Sequence, residues 1–247
     1  MDNILSNIKG RFAVVIPAYN HDHKIRDVVE ETLKLGMPVI VVDDGSIDST
    51  FERISTIDGI LVLRHQTNQG KGAAIMTGFA EAVKVADWAI TIDADGQHHP
   101  ADAIGLIKAI PEGRRPIVVG TRQNMQNTSA PWTSRFGRSF SNFWVWVSGG
   151  PLITDSQSGF RIYPLPEVMG LDVRAKRFQF EVEVLVRAKR RHIDVIEAPV
   201  SVIYNDGSQR ISHFRPFVDF LRNFRTFSLL ITQRICSAGT KPQRLKQ

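Results

Sequence analysis

The chain has 247 residues, 43% hydrophobic and 23% charged, which suits one large α/β domain with its own core and excludes a disordered chain. Its formal net charge of +6 (31 Lys and Arg against 25 Asp and Glu) suits an anionic partner, whether nucleotide, lipid phosphate, membrane surface or nucleic acid, without choosing among them. A single cysteine, Cys236, excludes an intrachain disulfide, and with no secretory-signal pattern over Met1 to Arg11 and no apolar run near the roughly 18–20 residues that span a bilayer, the expectation is a cytoplasmic protein, at most peripheral on a membrane.

Phe12 to Ile16 has the continuous apolar pattern of a buried strand. Ile25 to Leu35 has helical spacing and stops at Gly36, and Val39 to Val42 reads as a second strand. Asp48 is placed to cap a short helix from Ser49 to about Ile54. Ile60 to Leu63 follows as a strand, Gly72 to Val85 as a helix, and Trp88 to Ile92 as a fourth strand. A helix from Pro100 to Ile110 and a strand from Ile117 to Val119 complete the first half. This alternation predicts a mostly parallel, Rossmann-like sheet flanked by helices on both faces. The second half predicts a polar loop over Asn124 to Thr133, helices over Arg135 to Val147 and Phe178 to Arg190, and an extended stretch from Ile193 to Tyr204 broken at Pro199. A last helix over Phe217 to Ile235 carries Phe217, Phe220, Leu221, Phe224, Phe227, Leu230 and Ile231 on one stripe, with Arg215, Arg222, Arg225 and Arg234 off it. A basic amphipathic helix of this kind suits a membrane interface, or docking on the domain.

Acidic residues cluster where strands end. Asp43-Asp44-Gly45-Ser46 follows the second strand and Asp93-Ala94-Asp95-Gly96-Gln97 follows the fourth. Ligands of open α/β sheets bind beyond the carboxyl ends of the strands. Two carboxylates two residues apart can share one hard cation such as Mg²⁺ or Mn²⁺. For Asp93 and Asp95 that reading outweighs helix capping, because a cap needs only one acid.

These motifs resemble a known family. Pro17-Ala18-Tyr19-Asn20, Val42-Asp43-Asp44-Gly45-Ser46, Asn68-Gln69-Gly70-Lys71-Gly72 and Asp93-Ala94-Asp95-Gly96-Gln97-His98 are similar, in order and spacing, to family 2 glycosyltransferases of the GT-A fold. Gly120-Thr121-Arg122, Asp155-Ser156-Gln157-Ser158-Gly159-Phe160-Arg161 and Phe178-Gln179-Phe180-Glu181 resemble the dolichyl- or polyprenyl-phosphate mannose synthase branch. The resemblance spans roughly residues 11 to 215. It implies an inverting transfer from a UDP- or GDP-sugar donor to a polyprenyl-phosphate or other lipid-linked acceptor. Pro17, Tyr19, Asn20, Asp44, Lys71 and Asp93 would then hold the nucleotide, and Asp93, Asp95 and Gln97 the Mg²⁺ or Mn²⁺. Arg122, Arg135, Arg138, Arg161, Glu181 and Arg210 would form the phosphate and acceptor side. Asp93, Asp95 and Arg122 would be catalytic, with Asp155 in reserve as a base. The chain departs from the pattern at His21, where an acid is common, and at Tyr204 to Arg210, where Arg210 stands in for a lysine. The implied organisation is a catalytic domain over 1–213, the amphipathic helix over 214–236 and a polar tail over 237–247.

The chemistry agrees with this. A metal neutralises a leaving diphosphate as a Lewis acid. A lipid-phosphate nucleophile is already anionic and needs no general base, whereas a hydroxyl acceptor does. Two other classes are weighed. A sugar-phosphate nucleotidylyltransferase needs a glycine-rich basic loop after the first strand, where Pro17-Ala18-Tyr19-Asn20 stands instead. A non-catalytic basic module would gather its charge, which here is dispersed, so no nucleic-acid partner is expected. Gly70-Lys71-Gly72 fails as a phosphate loop because Ser or Thr does not follow the lysine.

Overall fold

The computed structural model describes residues 10–122, 132–202 and 226–234, with main chain only over 132–138. Its strands are β1 (Phe12–Ala18), β2 (Val39–Asp43), β3 (Ile60–Arg64), β4 (Trp88–Thr91), β5 (Ile117–Arg122), β6 (Arg161–Pro164) and β7 (Val195–Val200). Its helices are α1 (Ile25–Leu33), α2 (Thr50–Ser55), α3 (Lys71–Ala82), α4 (Ala103–Lys108), α5 (Trp132–Val147) and α6 (Phe180–Arg190). A further helix, α7, covers 226–234.

The strands form one sheet in the order β3-β2-β1-β4-β6-β5-β7. Every neighbouring pair is parallel except those of β6, which runs against both β4 and β5. All seven residues of β1 are buried, as expected for a strand covered on both faces. Side-chain alternation splits its contacts between two cores. Ala13 and Val15 pack with Ile40 and Val42 beneath α3 and α6. Val14 and Ile16 pack with Val39 and Val41 beneath α1 and α4. Each valine or isoleucine among them contributes about 1.5–3 kcal/mol on burial.

Three features differ from the sequence expectation. β6 is an added, reversed strand, because Arg161 at its start and Pro164 at its end disguise four buried residues as a loop. Pro199 does not break β7, since β7 is an edge strand and a missing donor is tolerated there. The helix expected over Pro100 to Ile110 is a 3₁₀ turn (Pro100–Asp102) followed by α4.

The described part of the C-terminal helix docks on the domain. Phe227 and Leu230 are buried with Val145 of α5 and Val186 of α6, and the Phe227 ring lies 6.0 Å from that of Trp144. Arg190 donates to the Leu230 carbonyl at 2.6 Å and Arg234 to the Val147 carbonyl at 2.7 Å. The second bond satisfies a carbonyl that the end of α5 would otherwise leave unpaired. Phe143, Trp146, Leu152 and Leu229 remain exposed nearby. Ile231 of the expected stripe is half-buried; Phe217, Phe220, Leu221 and Phe224, and the Arg210 region, lie outside the described residues. Among the described residues no helix is long and apolar enough to cross a membrane.

Candidate active site

The carboxyl ends of β1, β2 and β4 open on one side of the sheet. Because β6 is reversed, the loop before it (residues 155–159) arrives at that same side. Asn20 turns the chain after β1 with a left-handed φ of 55°, a conformation asparagine tolerates better than most residues. Its Oδ1 accepts from the Ile47 amide at 3.0 Å, and its own amide donates to Ser46 Oγ at 2.9 Å. The turns after β1 and β2 are thereby joined. Pro17 is buried beneath them and Tyr19 is half-buried at the rim. Asp48 accepts from the Thr50 amide at 3.0 Å; this is a turn ahead of α2, whose cap position is Ser49 and carries no side-chain capping bond, so Asp48 is not the expected cap.

Asp44 is only 2% exposed. Its Oδ1 accepts from the Gln69 amide at 2.9 Å, and its Oδ2 accepts from the Gly70 amide at 2.7 Å. His65 Nδ1 lies 2.7 Å from the same Oδ1. The Asp44 carboxylate is thus turned into the loop that precedes α3. His65 belongs to no motif, yet its place directly after β3 is the same signal that marks Asp44 and Asp93.

The centre of the site is an ion cluster. Lys71, the first residue of α3, places Nζ 2.6 Å from Asp93 Oδ1 and 2.5 Å from Glu181 Oε1. Glu181 is in the first turn of α6 and is buried. The next acid of that turn, Glu183, accepts from the Arg174 and Ala175 amides. Burial alone would lower the Lys71 pKa, but the charges of Asp93 and Glu181 prevail and hold the ammonium above the usual lysine range. Burial likewise opposes ionisation of Asp93, yet Lys71, with smaller help from His98 and His21, keeps it below the usual carboxylate range. Asp95 goes the other way. Burial first, and the Asp93 charge second, push its pKa up. The Asp95 carboxylate also accepts from the Gln97 amide at 2.9 Å, which shapes the turn. Asp93 Oδ1 is buried without an aligned hydrogen bond, so its 2.6 Å contact with Lys71 is a charge pairing.

Gly159 makes this packing possible. A Cβ there would lie 2.5 Å from Asp93 Oδ1 and 2.6 Å from Lys71 Nζ. Its carbonyl accepts from Thr91 Oγ1 at 2.7 Å, which ties the 155–159 loop to the end of β4. Arg161 is fully buried. It donates to the carbonyls of Ser158 at 2.6 Å, Ser156 at 2.7 Å and Glu181 at 2.7 Å. The expected acceptor-side arginine is therefore an internal brace of the loop and of α6. Arg122 and Asp155 form a two-point pair at 2.7 and 2.8 Å, with Asp155 buried and the Arg122 side chain 20% exposed. This engages the reserve base and fixes the plane of the guanidinium. His98 Nδ1 lies 3.2 Å from the Ser201 carbonyl, and its ring packs on Phe160. The side chains of Arg135 and Arg138 lie outside the described part of α5.

The fold and the cleft define a GT-A protein. The crystal structure of glucosyl-3-phosphoglycerate synthase from Mycobacterium tuberculosis in complex with Mn²⁺, UDP and phosphoglyceric acid shares the fold at a TM-score of 0.67, covering 97% of this chain and 82% of that one at 18% identity. Residues 13–165 match Glycosyl transferase family 2. The chain belongs to that family and is a glycosyltransferase. The UDP-N-acetylglucosamine–dolichyl-phosphate N-acetylglucosaminyltransferase of Methanococcus voltae is 32% identical over 217 residues, covering 79% of this chain and 86% of that protein. The undecaprenyl-phosphate mannosyltransferase of Micrococcus luteus is 27% identical over 220 residues, covering 82% and 88%.

Proposed function

We propose that the protein transfers a sugar, with inversion, from a UDP- or GDP-sugar to a polyprenyl phosphate, using Mg²⁺ or Mn²⁺. The observation that carries the donor half is the Lys71–Asp93–Glu181 cluster beside the strained carboxylate of Asp95. Asp95 ionises against burial and a like charge, a cost that a divalent cation relieves. The donor set is oxygen-rich: Asp93, Asp95 and the Gln97 side chain, all partly accessible at the cleft. Among the described residues no group of three or more His, Cys, Asp or Glu could hold a metal. The remaining ligands would be diphosphate oxygens and water, as is usual for Mg²⁺. When bound there, the ion supplies Lewis-acid neutralisation of the leaving diphosphate.

The chain's own residues supply the rest. Tyr19 and Pro17 line the nucleoside end, with Asn20 fixing their turn. Lys71 brings a cation to the diphosphate without leaving the reach of Glu181. Arg122, oriented by Asp155, brings its guanidinium charge to the acceptor phosphate. Because Asp155 is committed to Arg122, the site favours an acceptor that is already anionic over a hydroxyl that needs a base. The lipid-phosphate acceptors named for the Methanococcus and Micrococcus relatives support this, and the first of those names supports UDP over GDP. The exposed Phe143, Trp146, Leu152 and Leu229 offer a face to the membrane that carries such an acceptor. The catalytic unit then extends from the family match through α7, and Arg210 joins the phosphate side.

A thermal-shift panel of UDP, GDP, CDP and their sugars, with and without Mn²⁺, tests the donor half, since a ligand of the folded state raises Tm by mass action. One diphosphate shifting Tm only with Mn²⁺ is expected. No shift with any of them removes the donor reading. Transfer of labelled sugar to polyprenyl phosphate, and none to the unphosphorylated alcohol, is expected for the acceptor half.

A further inference from the structure

The 65–70 loop and the residues that hold it are not used by the chemistry above. His65 is largely buried, its side chain 10% exposed. Its Nδ1 faces Asp44 Oδ1 at 2.7 Å and its Nε2 faces Thr77 Oγ1, on α3, at 3.0 Å. A carboxylate oxygen only accepts, so Nδ1 carries a proton. Asp44 in turn accepts the Gln69 and Gly70 amides. One carboxylate therefore closes the loop, gripping its first residue through the imidazole and its last two through main-chain amides. The residue that follows is Lys71.

The loop is also wedged from both sides. A Cβ on Gly45 (φ +72°) would lie 2.7 Å from the main-chain carbon of Thr67 and 2.8 Å from the Asn68 nitrogen. A Cβ on Gly70 (φ +105°) would lie 2.5 Å from the Lys176 carbonyl oxygen. The Ala73 amide donates to that same carbonyl at 3.0 Å, and Arg177 donates to Asn68 Oδ1 at 3.2 Å. With both walls in main-chain contact, the loop has one seat. Asp44 selects it, and the Asp44 side chain is itself held by the imidazole.

We propose that His65 is a positioning residue for sugar transfer. Backed by Thr77, it fixes the Asp44 carboxylate, which locks residues 65–70 and so presents Lys71 to Asp93 and to the donor diphosphate. The last step rests on the reading of Lys71 given above. A buried carboxylate that loses one donor keeps its charge and must find another. In His65→Ala the carboxylate is free to rotate away from the amides.

The test compares His65→Ala, His65→Asn and His65→Gln, each first checked for a cooperative thermal transition. The asparagine amide nitrogen takes roughly the place of Nδ1 and can donate to Asp44, whereas the glutamine amide reaches toward Thr77. Hydrogen exchange at the Gln69 and Gly70 amides reads the clamp directly. UDP affinity with Mn²⁺, and donor KM against kcat, read its service to the site. The expected result for His65→Ala is at least ten-fold faster exchange at those two amides and about ten-fold weaker UDP binding, the scale of one lost hydrogen bond to a charged group. His65→Asn recovers most of both and His65→Gln does not. Unchanged exchange in His65→Ala overturns the clamp. Faster exchange with unchanged UDP affinity and donor KM overturns the positioning role, as does His65→Asn behaving like His65→Ala. If the wild-type chain binds no nucleoside diphosphate, the donor reading itself fails, and amide exchange still decides the clamp.

Discussion

Replacing Lys71 by methionine keeps an unbranched side chain of similar length but removes the ammonium 2.6 Å from Asp93 and 2.5 Å from Glu181. Removing one partner of a buried ion pair costs about 3–5 kcal/mol, because the other charge is left in a poor solvent. The Asp93 side chain is 25% exposed and Glu181 6% exposed, so water reaches one of the two orphaned acids. That places the expected loss near the lower end, about 3 kcal/mol. For a chain of this size about 1 kcal/mol corresponds to roughly 2–4 °C, so Tm should fall by about 6–12 °C at pH 7. The pH dependence has a definite sign. In the wild type the lowered pKa of Asp93 contributes stability above its unfolded value near 3.9, and this is lost as pH falls through the folded value. The raised pKa of Lys71 contributes stability that is present at all pH values below about 10. In Lys71→Met both acids lose the ammonium that offsets their charge, and protonation relieves them. The gap between the two proteins should therefore narrow below about pH 4 to 5. Calorimetry in chelator-treated buffer at pH 7 and pH 4 measures both effects. A loss under about 1 kcal/mol at pH 7, or a gap that does not narrow in acid, would refute the reasoning from uncompensated charge.

Asp95→Asn should raise Tm of the metal-free protein at pH 7, because the raised pKa of Asp95 marks a carboxylate whose ionisation opposes folding. The gain should shrink as pH falls and vanish below the unfolded carboxylate value of about 3.9, and the variant should lose Mn²⁺-dependent UDP binding in calorimetric titration. Gly159→Ala forces a Cβ against Asp93 and Lys71. It should abolish transfer and cost about 1–3 kcal/mol, the scale of overpacking in a rigid site, as read by denaturant unfolding. Phe143→Ser with Trp146→Ser should leave Tm within about 2 °C, since both side chains are half exposed, while reducing co-sedimentation with anionic vesicles.

Much of the sheet was legible because its strands are buried on both faces. Runs such as Phe12–Ile16 and Val39–Val42 carry no polar residue that would confuse them with loops. The acids at strand ends were legible for the same reason, since a carboxylate after such a run must leave the core. The inner wiring was not. Arg161 reads in sequence as a phosphate ligand, and only tertiary packing shows its guanidinium spent on three main-chain carbonyls. Asp44 and Asp155 likewise look available from their neighbours, whereas their partners His65 and Arg122 lie 21 and 33 residues away. β6 escaped because four residues bounded by an arginine and a proline show no period.

The reversed strand also orders the assembly of the protein in time. β5 has neighbours only in β6 and β7, both later in the chain, while β1 to β4 pair among themselves. A chain emerging from the ribosome can thus build the β3-β2-β1-β4 half first and must wait to dock β6-β5-β7 as a second unit. The seam between the units is the β4–β6 edge, where Thr91 bonds to Gly159 across 68 residues. Glu181, the second anchor of Lys71, also belongs to the late part. Half-made chains therefore hold the acidic turns without the brace that seats them, and changes along this seam should slow maturation even where the finished enzyme is unimpaired.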